Sequence, residues 1–205
     1  MPVSPWFPTF VYVSPLQRRG SDEFARSLLD DCRKVRDQDT EGQLWCRDNY
    51  PGGYTSYGTQ RRLHRALPAF AGLERKIWRH VQRFARRLDM DLREANLAMT
   101  DCWVNIMSRD AVHPLHVHPG AVVSGSFYVS TPLGCSSIHF EDPRIDKFVC
   151  MPPRRLDCRP ENRQHVTHDV EAGKIILFES WLRHGVASNP TAAERVSISF
   201  NYTWV

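Results

Sequence analysis

The chain has 205 residues, 41% of them hydrophobic, with six tryptophans, six tyrosines and ten phenylalanines, enough for one domain with a substantial core. A net charge of +4 is too mild to require a nucleic acid or an anionic membrane as partner. No apolar run approaches the ~20 residues needed to span a bilayer.

In chain order, Phe7-Pro-Thr-Phe-Val-Tyr-Val13 alternates bulky and small residues and predicts an edge strand, with its prolines confined to the beginning. Ser21 then reads as an N-cap, Asp22 and Glu23 fall in a positive first turn, and Phe24, Leu28 and Leu29 mark one face of a helix ending near Asp37. From Asp39 to Leu63 the residues are polar and rich in Gly and Tyr, which predicts a surface loop. Its part from Asn49 to Tyr57 is the leading candidate for a lid or substrate-contacting surface. Phe70, Leu73, Ile77, Val81, Phe84 and Leu88 stand at helical spacing and predict the longest helix of the chain. Its opposite face, from Arg75 to Arg87, is basic without interleaved aromatics and reads as a solvated face, so no nucleic-acid partner is expected.

Strand-like runs follow to the end: Met99–Met107, Leu115–His118, Val122–Ser130, Ser137–Glu141, Lys174–Glu179 and Arg195–Val205. Helices first and short strands afterwards predict a mainly β fold with flanking helices, a jelly roll or double-stranded β-helix of cupin-like form. The division expected is a single domain, 1–205, in which residues 1–95 supply strand, loop and supporting helices and residues 96–205 the jelly-roll core. In the last strand Val196, Ile198, Phe200, Tyr202 and Trp204 share one face and Arg195, Ser197, Ser199, Asn201 and Thr203 the other. The apolar face fits a layer under helices and the polar face a wet cavity. Ser124, Ser126, Tyr128 and Ser130 give a second strand the same character.

Within His113-Pro-Leu-His-Val-His-Pro-Gly120, His116 and His118 are two apart and on a strand would face the same way, able to hold one ion together. His184, in Ser180-Trp-Leu-Arg-His-Gly-Val186, offers a third imidazole, and imidazole suits iron, copper, nickel and zinc. His113, three residues from His116, would face away on a regular strand, and His139, His165 and His168 read as surface or supporting residues. Arg195 and Ser197 can offer a guanidinium fork and a hydroxyl from one face, a receptor for a carboxylate. The ordinary alternative is an arginine at a strand end, paired with Glu194 or Glu179.

Taken together, His116-Val-His118, Ser124-Gly-Ser-Phe-Tyr128, Phe140-Glu-Asp-Pro-Arg144, Ser180-Trp-Leu-Arg-His184-Gly-Val186 and Arg195-Val-Ser197 resemble the iron(II)- and 2-oxoglutarate-dependent oxygenases. The likeness is to the prolyl-4-hydroxylase-like branch with its small bacterial members, over Trp103 to Asn201; Phe7 to Val13 is similar to the opening of those members. The resemblance implies His116, His118 and His184 as iron(II) ligands and Arg195 with Ser197 as the anchor for the distal carboxylate of 2-oxoglutarate. Tyr128 would assist that anchoring and Asn105 would approach the cosubstrate from the neighbouring strand. No catalytic residue beyond the metal centre is implied.

The sequence departs from the family at one place: the usual motif is His-x-Asp or His-x-Glu, and here the second position is His118. Glu141 or Asp142 could supply a carboxylate ligand instead, although a turn and a pairing with Arg144 is their ordinary use. The resemblance therefore implies an oxidoreductase using O2 and an unidentified substrate and releasing succinate and carbon dioxide. Two alternatives stay open: a three-histidine cupin-like dioxygenase that needs no 2-oxoglutarate, and a catalytically silent metal- or ligand-binding module. The six cysteines (Cys32, Cys46, Cys102, Cys135, Cys150, Cys158) form no Cys-x-x-Cys pair, and the opening Met1-Pro-Val-Ser-Pro-Trp6 lacks the regions of an export signal. A reducing, cytoplasmic setting and no membrane partner are expected; the oligomeric state is left open.

Overall fold

Along the chain, strand β1 (Val11–Pro15) leads into α1 (Ser21–Gln38), α2 (Thr40–Asn49), the short strand β2 (Gly53–Thr55), the single turn α3 (Leu63–Ala66) and α4 (Pro68–Arg87). Eight strands complete the fold: β3 (Leu97–Met107), β4 (His113–His116), β5 (Val123–Ser130), β6 (Ile138–Glu141), β7 (His165–His168), β8 (Lys174–Glu179), β9 (His184–Val186) and β10 (Arg195–Trp204). The computed structural model describes residues 3–205; Met1 and Pro2, the start of the opening weighed as an export signal, lie outside them. No helix is long and apolar enough to cross a membrane among the described residues.

The strands form two antiparallel sheets, a six-stranded one in the order β1-β8-β5-β10-β3-β2 and a four-stranded one in the order β4-β9-β6-β7. This is the double-stranded β-helix that the sequence predicts. The alternation in β10 decides how the layers stack. Val196, Ile198, Phe200 and Tyr202 join one core with Ala25, Leu28, Cys32 and Val35 of α1 and with Phe70, Leu73, Ile77, Val81 and Phe84 of α4. Apolar area removed from water on that face is what fastens the helices to the large sheet. A second apolar cluster (Ile138, Phe140, Ile176, Phe178, Leu182, with Tyr128) joins the two sheets from inside.

The opposite face of β10 carries polar side chains that are also buried, Arg195, Ser197, Ser199 and Asn201. They are matched across the sheet, because Ser197 stands opposite Asn105 and Tyr128, Ser199 opposite Trp103 and Ser126, and Asn201 opposite Asp101 and Ser124. Ser126 Oγ lies 2.8 Å from Ser199 Oγ, and Ser124 donates to Asn201 Oδ1 at 2.8 Å. These bonds let a polar face sit inside the fold.

The N-terminal half departs from expectation in three places. β1 begins at Val11, because Phe7 takes φ 58 and breaks the extended run before it. α1 is capped by Gly20 in the left-handed region, while Ser21 Oγ turns back to bond the amide and carbonyl of Gln17 at 3.0 and 2.8 Å. The expected loop from Asp39 to Leu63 is mostly ordered into α2, β2 and the start of α3. Its order comes from one buried carboxylate: Asp39 accepts from the Gly42 amide (3.0 Å), the Tyr54 hydroxyl (2.8 Å) and the Thr59 hydroxyl (2.5 Å). A segment organised by hydrogen bonds leaves no apolar period to read. The longest helix stands where expected, with Leu88 as its C-cap, and β7 and β9 are strands that no alternation announced.

β1 is tied to α4 by His80, which donates from Nε2 to the Leu16 carbonyl (2.8 Å) and accepts at Nδ1 from the Tyr12 hydroxyl (2.8 Å). Burial lowers the pKa of His80 and of His64 below 6.5. The unfolded chain therefore takes up protons near pH ~6.5 when the folded one does not, so stability is full above that pH and lost as the pH falls below it. We expect the urea midpoint of the metal-free protein to drop between about pH 7.5 and 5.5 and His80→Gln to flatten part of that slope. A midpoint unchanged across this range would contradict the assignment.

Candidate metal centre and cosubstrate chamber

Three imidazoles meet where the two sheets face each other: one ligand atom from each of His116, His118 and His184 lies within 4.8 Å of the other two. β4 and β9 pair so that His116 stands opposite His184. His118 comes just after β4, where its amide donates to the Ser180 carbonyl at 3.1 Å and its ring packs 5.6 Å from Trp103. Only His116 of the expected pair is within the strand, yet both rings reach the same point.

The donor set fits a cation. His116 donates from Nδ1 to the Pro114 carbonyl (2.7 Å) and His184 from Nδ1 to the Leu182 carbonyl (2.9 Å), which leaves their Nε2 lone pairs free. His184 Nε2 lies 3.3 Å from His118 Nε2, two basic nitrogens facing one another. Burial, then the neighbouring imidazoles, lowers the pKa of His118 to about 4 and that of His184 to about 3, and burial lowers that of His116. All three are the neutral bases a metal ion requires.

His113 does not face away. Pro114 and Leu115 together oppose only Gly185 between the His113–Val186 and His116–His184 pairs, a bulge that turns His113 to the same side as His116. Their ring centroids are 4.9 Å apart. The strands press so closely here that a Cβ on Gly185 would stand 2.7 Å from the His113 carbonyl oxygen. A proline inside a strand was the available signal for the bulge.

The carboxylates considered as ligands are committed elsewhere. Glu141 pairs with Arg183 at 2.8 Å, and Asp142 with Arg144 and Lys147 at 2.9 and 3.3 Å.

From the imidazoles a cavity runs to Arg195, lined also by Trp103, Asn105, Tyr128 and Ser197. Arg195 is 3% exposed and has no carboxylate partner among the described residues. Its Nε donates to the Ser136 carbonyl (3.0 Å), Nη1 approaches Met107 Sδ (3.6 Å), and the Tyr128 ring lies 5.3 Å from its centre. Glu194 turns to the other side and binds Arg33 and Arg36 of α1. Two further polar atoms beside Arg195 are buried without partners, the Tyr128 hydroxyl and Asn105 Oδ1. Burial raises the Tyr128 pKa to about 12, so it remains a donor. Trp103 and Met107 are parts of the chamber that sequence reasoning passed over, since apolar and aromatic strand residues read as core.

If the three imidazoles form the metal site, changing any one of them to alanine should leave purified protein with less than about a tenth of wild-type metal. Glu141→Ala and Asp142→Ala should keep it; elemental analysis that finds metal in His118→Ala and none in Glu141→Ala reverses the assignment.

Residues 101–201, about half the chain, match the family described as "Putative 2OG-Fe(II) oxygenase". No curated protein is significantly similar in sequence. Among solved structures the chain is similar to HygX from Streptomyces hygroscopicus with nickel, 2-oxoglutarate and hygromycin B bound, at TM-score 0.60 and 18% identity over 95% of this chain and 83% of that one. It is similar to the non-heme alpha ketoglutarate dependent epimerase SnoN from nogalamycin biosynthesis at TM-score 0.64 and 13% identity, over 95% and 76%. A Pseudomonas putida prolyl-4-hydroxylase matches at TM-score 0.54 and 18% identity, over 95% and 92%. At such identities these likenesses concern the fold; the family is read from residues 101–201, which match the 2OG-Fe(II) oxygenases.

Proposed function

We propose that the chain is an iron(II)- and 2-oxoglutarate-dependent dioxygenase in which His116, His118 and His184 hold the metal and Arg195 receives the distal carboxylate of 2-oxoglutarate. The observation that carries this reading is the guanidinium of Arg195, buried without a counter-charge among the described residues at the far end of the cavity that the three imidazoles share. Desolvating a cation costs several kcal/mol unless a partner compensates, roughly the scale at which a chamber is built for an anion. Of the five N–H groups of the guanidinium, a carbonyl and a thioether occupy two, and the rest remain for a carboxylate.

The other residues divide the work. Tyr128 can donate its unpartnered hydroxyl to the same carboxylate, Ser197 adds a hydroxyl from the β10 face, and Asn105 is held by its bond from Nδ2 to Ser199 (3.0 Å) with Oδ1 unused. The carbonyls of Pro114 and Leu182 fix the imidazole tautomers of His116 and His184. Three neutral ligands leave the ion's double charge undiminished, which favours an anionic cosubstrate over water. With iron(II) and 2-oxoglutarate bound, the chemistry supplied is oxidation of a substrate by O2, coupled to release of succinate and carbon dioxide. Trp103 and its edge-to-face partner Tyr57 (centroids 4.9 Å) form an aromatic wall beside His118 that shields the centre from water.

Arg195→Met, close in volume and without charge, should weaken 2-oxoglutarate binding and slow succinate release by about a hundredfold or more. Arg195→Lys should recover only part, because an ammonium lacks the planar fork. Iron-loaded wild-type protein that neither binds 2-oxoglutarate nor releases succinate would leave a three-histidine dioxygenase or a silent binding module in its place.

A further inference from the structure

The chamber holds a fourth imidazole to which the reaction above gives no task. His113 lines the cavity with Arg195 and the metal-site imidazoles but is not part of the group whose ligand atoms converge. Its Nδ1 is 3.2 Å from the Tyr50 hydroxyl, and the two rings meet edge to face with centroids 5.3 Å apart at 87°. The Tyr50 hydroxyl has no other hydrogen-bond partner among the described residues, and we assign its proton to the bond with His113 Nδ1, in the tautomer that leaves the hydroxyl hydrogen bonded. A neutral imidazole that accepts at Nδ1 carries its own hydrogen on Nε2. His113 is thereby set as a donor.

The placement of this pair says what the donor serves. Tyr50 ends α2, where its amide donates to the Cys46 carbonyl at 2.8 Å, and its ring lies against Gly53, where a Cβ would come within 2.4 Å of it. Gly53 stands opposite Met107 on β3, and Met107 stands opposite Arg195 on β10. The Tyr50–His113 pair is thus tied to the Arg195 half of the chamber. His118, by contrast, packs on Trp103, two rungs further along β3.

We propose that His113, oriented by Tyr50, is a cosubstrate-binding residue that donates its Nε2–H to a carboxylate oxygen of 2-oxoglutarate. This rests on the function proposed above and adds to it. The segment from α2 to β2 then backs the chamber behind His113, and its tyrosine acts as a positioning residue through His113.

The test is calorimetric titration of 2-oxoglutarate into nickel-loaded wild type, His113→Phe, His113→Gln and Tyr50→Phe, with nickel content measured for each. All four should hold nickel. His113→Phe should bind 2-oxoglutarate about tenfold more weakly or worse, Tyr50→Phe about threefold to tenfold more weakly, and His113→Gln, with an N–H at the matching position, should keep most of the affinity. Unchanged affinity in His113→Phe overturns the inference, as does loss of its nickel to the extent seen in His116→Ala, which would make His113 a ligand. Should His113→Phe not fold, unchanged affinity in Tyr50→Phe overturns it instead. Wild type that fails to bind 2-oxoglutarate removes the function proposed above, whereas normal wild-type binding with indifferent variants removes this inference alone.

Discussion

A buried guanidinium with no acidic partner among the described residues is the constraint around which the rest of the structure is arranged. A carbonyl, a thioether and an aromatic face contact the Arg195 side chain, while its chain neighbour Glu194 is engaged by Arg33 and Arg36 of α1. Those contacts are weaker than an ion pair, so the site keeps a standing preference for an incoming anion. Sheet, helices and loops can be read as the means of maintaining that imbalance. The apolar face of β10 fastens the strand to α1 and α4, and the same strand then carries the cation inward on its other face.

From that end the chamber changes character in steps set by the strand period. Beside Arg195 stand hydroxyl and amide groups of Ser197, Tyr128 and Asn105, then the neutral imidazoles, then the aromatic pair Trp103 and Tyr57 leading towards solvent. The rungs at Ser197 and Ser199 each draw one side chain from β3, β10 and β5. An anion entering this gradient meets increasing attraction as it moves inward, while the neutral bases accept a cation without repelling it.

Much of this was legible in the sequence where packing obeys a period. The β10 alternation, the helical spacing of α4 and the convergence of His116, His118 and His184 follow from side chains repeating in step with backbone geometry. What the sequence hid has different causes. The segment from Asp39 to Thr59 is ordered by hydrogen bonds to one carboxylate, and β7 and β9 are too short to show alternation. His113 was misdirected because a bulge at Pro114 and Leu115 cancels the parity rule for that stretch alone. The unpaired state of Arg195 was not readable either, since Glu194 and Glu179 were equally available partners on paper.

Glu194 and Arg195 are neighbours in the chain, yet the strand sends them to opposite sides, the acid to α1 and the base to the chamber. Parity therefore guards the site against its own flank. A slip of one residue in the pairing of β10 would carry a carboxylate into the chamber and the guanidinium out of it. The electrical sign of the pocket would reverse with every amino acid still present, so the length of the turn before Arg195 decides which charge faces the chamber as firmly as the arginine does.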